Sequence, residues 1–156
     1  MLPMHRFAEH LYSVCITLWV GALWAIGYLA APTLFGVLDD RALAGKVAGQ
    51  MFTYVAWLGM AAAAYLLVFL ALRKDSAAFR SSVFWLVLLM LLLTVAGHFG
   101  IQPILAQLKA DSLPREVMES AVRSRFAAWH GVSSVVYLIE SLLGLLLVAL
   151  QGRGLR

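Results

Sequence analysis

Formally charged residues punctuate the chain, and the stretches between them are long and apolar. After Glu9 no charged side chain appears until Asp39, after Lys46 none until Arg73, after Arg80 none until Lys109, and after Arg125 only Glu140 interrupts the run to Arg153. An α-helix rises about 1.5 Å per residue and the hydrocarbon core of a bilayer is about 30 Å thick, so roughly 20 apolar residues cross it. The four intervals predict four membrane helices at about 10–31, 48–72, 82–105 and 126–150. The fold expected is all-α: a polytopic membrane protein, one transmembrane domain over 1–156, built as an antiparallel four-helix transmembrane bundle. Pro32 is expected to end the first helix, because proline disfavours helical geometry in the residue before it. Asp39 or Asp40 is placed to cap the second. In the longest connection, 106–125, Ser112 stands before Pro114, and Arg115, Glu119 and Arg123 form a ladder opposite Met118, Val122 and Phe126. That pattern predicts a short interfacial helix before the last span. No internal repeat or low-complexity segment is evident.

Composition agrees with lipid as the solvent. Of 156 residues 63% are hydrophobic and 13% charged, against about 45–50% and about 25% in soluble domains. The connections are too short to hold a separate soluble catalytic domain. The net charge of +4 is scattered over short segments rather than gathered into a face that could track a phosphate backbone, which excludes nucleic acid and leaves the lipid bilayer as the partner. Cys15, the single cysteine, lies in an apolar run and reads as a packing residue. The first run is too long for a cleaved leader and starts at Glu9 as well as Arg6, so it reads as a retained helix. Four spans put both termini on one side. Each side then holds six Lys+Arg, but Arg73, Lys74 and Arg80 crowd into one tight turn on the side of the termini. The expectation is both termini inside.

Polar and small residues recur at helical spacing within the spans. The fourth carries His130, Ser133, Ser134, Tyr137, Glu140, Ser141 and Gly144; the first His10, Ser13, Thr17, Gly21, Trp24 and Tyr28; the third Thr94, Gly97, His98 and Gln102. These stripes are expected to face one another inside the bundle. Gly45 and Gly49 make a G-x-x-x-G at the start of the second span that would admit a close backbone approach. Glu140 is the costliest residue, on the order of 2.5–3.5 kcal/mol for a charge at mid-span. Its expected setting is an intramembrane polar site with His10, Tyr137 and Ser13, His10 being the partner, and it reads either as a structural clamp or as a proton-coupled or cation site. His98 and His130 are expected at similar depth, in a pocket lined by Trp24, Tyr28, Trp57, Gln102, Trp129 and Ser133. Two imidazoles suit haem b or copper, and Met60 would add a soft donor for Cu(I). The alternative, histidines that bond within the bundle and no cofactor, is the leading expectation.

No C-x-x-C, G-x-x-x-x-G-K or G-x-S-x-G is present, and the serines of the fourth span lack a base and orienter. No catalytic residue is assigned. Trp19-Val20-Gly21-Ala22-Leu23-Trp24, Tyr28-Leu29-Ala30-Ala31-Pro32-Thr33-Leu34-Phe35, Leu43-Ala44-Gly45-Lys46-Val47-Ala48-Gly49 and Arg125-Phe126-Ala127-Ala128-Trp129-His130-Gly131-Val132-Ser133-Ser134 resemble a bacterial four-span membrane family of unknown function. That family is related to the eukaryotic cisplatin-resistance-associated transmembrane protein. The chain also looks distantly like CopD-type copper-resistance membrane domains and the haem-dependent protoporphyrinogen oxidases, whose firmer histidine framework it lacks. The resemblance implies a four-helix protein of the bacterial inner membrane. Three readings stand: a non-enzymatic protein aiding tolerance or transport of a metal or small solute; a haem- or copper-binding redox protein using His98 and His130; and an assembly or scaffold subunit. A bundle this small is expected to act as a homo-oligomer or within a larger membrane complex.

Overall fold

The computed structural model describes residues 2–112 and 120–155. Four helices are long and apolar enough to cross a membrane: Arg6–Val37, Arg41–Arg73, Ser82–Ala110 and Val122–Leu155. They are named the first to fourth spans. No strand occurs among the described residues, so the all-α expectation holds. Each helix outruns its predicted span, because a helix stops at a cap or turn rather than where hydrophobicity ends. At the second span that cap is Asp40, whose Oδ1 accepts the N–H groups of Ala42 at 2.9 Å and Leu43 at 3.0 Å. A short 3-10 turn, Asp75–Arg80, links the second and third spans. The flanks of the expected interfacial helix lie in the long helices: Gln102–Ser112 continues the third, and Ser120 lies in the fourth. The rest of that expected helix, 113–119, lies outside the described residues.

The expectation that Pro32 ends the first helix is also corrected. The helix passes through Pro32 to Val37 because a π-helical turn, Ala25–Ala30, precedes it. There the Ala31 N–H reaches back five residues to the Ile26 carbonyl. The wider turn carries the carbonyl four residues back away from the proline ring, removing the clash that breaks an α-helix. The third span repeats the device: a π-helical turn Ala96–Ile101, the Gln102 N–H bonded to the Gly97 carbonyl, then Pro103. In each span the proline stands two residues beyond the turn.

Consecutive spans pack side by side, and the fourth closes back on the first. The first and third therefore stand on one diagonal, parallel to each other, and the second and fourth on the other. The termini face is tied together by Arg73 at the end of the second span. Its guanidinium meets Glu9 Oε1 at 2.5 Å, donates to the Leu155 carbonyl at 2.7 Å and lies over the Phe69 ring. Both termini thus share one face, as expected.

Aromatic side chains seated in glycine notches fix the helix seams. Trp19 is fully buried against Gly59, where a Cβ would come within 2.4 Å of Trp19 Nε1. Tyr12, also fully buried, occupies the notch at Gly154 and donates its hydroxyl to the Gln151 carbonyl at 3.2 Å. Tyr137 fills the notch at Gly27 and donates to the Leu23 carbonyl at 2.6 Å. Lipid offers no hydrophobic drive between helices, so close packing and interhelical hydrogen bonds hold them. The expected G-x-x-x-G contact is not among these seams: nothing lies within 4 Å of a Cβ at Gly49, and Gly45 faces only the ends of Lys109 and Phe35.

The first-span stripe is corrected too. His10, Thr17, Gly21 and Tyr28 lie exposed, and the buried face is Tyr12, Ile16, Trp19, Val20 and Leu23. Thr17 bonds the Ser13 carbonyl at 2.9 Å on its own helix. A hydroxyl satisfied that way can face lipid, so hydroxyl position does not mark the inner face. Gly27→Ala should place a methyl 2.2 Å from Tyr137 Cε1 and destabilise the bundle by about 1–3 kcal/mol. Gly21→Ala, with open space around it, should be near neutral, and thermal unfolding in mild detergent reads the difference.

Candidate functional site

Glu140 is 5% exposed on the fourth span, and Thr94 is 6% exposed on the third. They meet with Thr94 Oγ1 2.5 Å from Glu140 Oε1. Thr94 Oγ1 also lies 2.9 Å from the Met90 carbonyl, one turn back on its own helix. Ser141, fully buried beside Glu140, donates to the Tyr137 carbonyl at 2.8 Å, and its own carbonyl accepts Trp24 Nε1 at 3.3 Å. Three spans thus converge on one polar layer.

The two sides of that layer differ. Next to the layer on the termini side Met90, Val87, Val83 and Leu147 are buried around Val20 and Leu66, with Trp19 and Tyr12 on the same side. The other way lies a second aromatic cluster that includes His98. Tyr137 contacts Tyr28 and Phe52, with ring centroids 6.2 and 5.2 Å apart, and Trp24 packs on Tyr28 at 4.8 Å. Between the second and third spans, Trp57 meets His98 edge to face at 5.6 Å and Phe99 at 6.2 Å. His98 Nδ1 is buried and has no hydrogen-bond partner among the described residues.

Both π-helical turns belong to this level. The Thr94–Glu140 bond sets the third and fourth spans in register, and stepping along the antiparallel pair residue for residue puts Ala96–Ile101 opposite 133–138. The notch of Gly27 against Tyr137 puts Ala25–Ala30 at the same height. Pro32 and Pro103 have no N–H to give, so each of these two helices lacks one backbone donor there. The two missing N–H groups lie on diagonal helices at one depth, just beyond the buried carboxyl.

The expected site residues divide accordingly. Glu140 and Tyr137 stand together, but the partner of Glu140 is Thr94 rather than His10. The Tyr12–Gln151 bond puts His10 near the level of Arg153, about 20 Å along the bundle from Glu140, and His10 is exposed. Ser13 lies near that end as well. His98 and His130 are not brought together: the same register sets His98 opposite 136, about 9 Å in depth from His130. His130 is exposed and stacks on Phe126 at 5.9 Å. Their expected coincidence took the third span to end at 105, and the helix in fact runs on. Of the pocket residues, Trp24, Gln102 and Ser133 are half-buried, whereas Tyr28, Trp57 and Trp129 are exposed. Met60 is half-buried one turn from Trp57. No group of three or more His, Cys, Asp or Glu that could hold a metal stands together among the described residues.

A protein family described as "Domain of unknown function (DUF4149)" matches residues 14–114. The chain belongs to this family. The DUF4149 match takes in most of the first span, the second and the third, hence Thr94, both π-helical turns and both prolines, and stops short of the span that carries Glu140. No curated protein and no solved structure matches the chain. Thr94→Val should leave the Glu140 carboxyl buried without its bond and lower stability by about 1–3 kcal/mol. Thr94→Ser should recover most of that loss in the same thermal measurement.

Proposed function

We propose that this chain is a small non-enzymatic protein of the bacterial inner membrane that aids tolerance or transport of a metal ion or small solute, with Glu140 and Thr94 as its working centre. The observation that carries this reading is a lone carboxyl buried at mid-bundle where lipid-facing packing alone would place an apolar residue. Intramembrane ionisable groups are expensive and are retained where they serve a solute or proton path. The likeness to cisplatin-resistance-associated membrane proteins points the same way. Both termini face the cytoplasm in this reading, and the protein acts as an oligomer or in a larger membrane complex.

The test separates a working centre from a structural clamp. Glu140→Gln keeps the shape and a hydrogen bond to Thr94. It should insert and unfold like the parent, yet fail to restore growth of a deletion strain challenged with cisplatin or copper salts. Restored growth, or loss of folding, contradicts the proposal. A second reading, haem or copper held through His98, is favoured by its buried and unpartnered Nδ1. A Soret band or bound copper that disappears in His98→Ala, and persists in His130→Ala, would establish it; a purified protein with neither would remove it.

A further inference from the structure

Counting hydrogens at the Thr94–Glu140 contact identifies what the carboxyl holds. A threonine hydroxyl has one hydrogen, and Thr94 Oγ1 has two oxygen neighbours, the Met90 carbonyl at 2.9 Å and Glu140 Oε1 at 2.5 Å. The Met90 carbonyl can only accept. In this chain helix hydroxyls bond the carbonyl one turn back: Thr17 to Ser13, Thr33 to Leu29, Thr53 to Gly49, Ser134 to His130 and Ser141 to Tyr137. With the Thr94 hydrogen on Met90, the second contact needs a hydrogen from Glu140. A neutral carboxylic acid supplies it and lets both contacts of Thr94 Oγ1 be hydrogen bonds at once, whereas a carboxylate would draw the one Thr94 hydrogen to itself and leave the Met90 contact without one.

The charges of the chain lead to the same place. No lysine or arginine lies between Glu9 and Asp39, Lys46 and Arg73, Arg80 and Lys109, or Arg125 and Arg153. The interior of the spans therefore offers no fixed cation to an ionised Glu140. The titratable groups at its level are Tyr137 on its own span, Tyr28 on the first, His98 on the third and the exposed Tyr54 on the second, where Thr53 bonds the Gly49 carbonyl of its own helix; none of them is a fixed cation. The Tyr137 hydroxyl already donates to Leu23, and His98 Nδ1 bonds nothing among the described residues. An unpaired charge in a low-dielectric interior neutralises by taking a proton.

We infer that Glu140 is a proton-binding site, held at neutral pH as a carboxylic acid whose O–H donates to Thr94 while Thr94 donates to Met90. This rests on the reading of Glu140 as the working centre and specifies its ion: a proton, not a metal cation. An intramembrane acid of this kind is also a modification site for a lipophilic carbodiimide. The acid O–H adds across one C=N bond to give an O-acylisourea, which rearranges to a stable N-acylurea with every atom retained.

The experiment uses the full chain in phospholipid vesicles at neutral pH. Infrared spectra should show the carbonyl band of a protonated carboxyl, absent in Glu140→Gln and shifted in Thr94→Val. Dicyclohexylcarbodiimide should label the parent and Glu140→Asp but not Glu140→Gln, with the adduct located by mass spectrometry. A folded parent without that band overturns the inference, and so does a band unchanged in Glu140→Gln. A band lost in Glu140→Gln together with unimpaired growth of that variant would leave the proton site standing and remove the proposed function, so the two fail separately.

Discussion

The seam between the first and fourth spans sets the register on which the rest of the bundle depends. Near the termini face Tyr12 reaches across to the Gln151 carbonyl, and about four turns further along Tyr137 reaches back to the Leu23 carbonyl. Each ring sits where a glycine, Gly154 or Gly27, leaves room for it. The two bonds are reciprocal and widely spaced, so sliding or rotating one helix by a residue breaks both. In lipid, where helices gain nothing by hiding apolar surface from water, such fixed points determine which faces meet. Trp19 in the notch of Gly59 fastens the second span to the same helix.

With those faces fixed, the polar centre follows. Turning Tyr137 inward also turns Glu140 and Ser141 inward, three and four residues further along the same helix, and Thr94 of the third span meets the carboxyl. The π-helical turns then acquire their place. They let the first and third helices continue past proline, and they lie just beyond the carboxyl, on the side away from the apolar core. Leu147, Met90 and Val87 pack directly below Glu140 toward the termini, and Tyr137, Tyr28 and His98 stand beyond it with the two prolines.

Charge spacing made the four helices legible, because excluding charge from lipid is a strong constraint that needs no knowledge of packing. Asp40 as a cap and Glu140 as the exceptional buried residue were legible for similarly local reasons. The partner of Glu140 was not, since it depends on relative depth between helices, and depth is set by Tyr12 and Tyr137 seated in glycine notches of a neighbouring helix. The first-span stripe misled because Thr17 satisfies its hydroxyl on its own helix, so polarity there carries no information about facing. Pro32 misled because the π-helical turn that rescues it has no marked sequence signal beyond a glycine nearby. Gly45 and Gly49 fit a motif yet seat no helix, whereas Gly27, Gly59 and Gly154 fit none and seat three aromatic rings.

The central claim is that the buried carboxyl lies between the third and fourth spans at the level of Thr94. Thiol cross-linking in native membranes addresses it directly, using a Cys15→Ser background and a short bifunctional thiol reagent. Thr94→Cys combined with Glu140→Cys should become cross-linked within one chain, and His10→Cys combined with Glu140→Cys should not. Cross-linking of the His10 pair, with the Thr94 pair unreacted, would contradict the account.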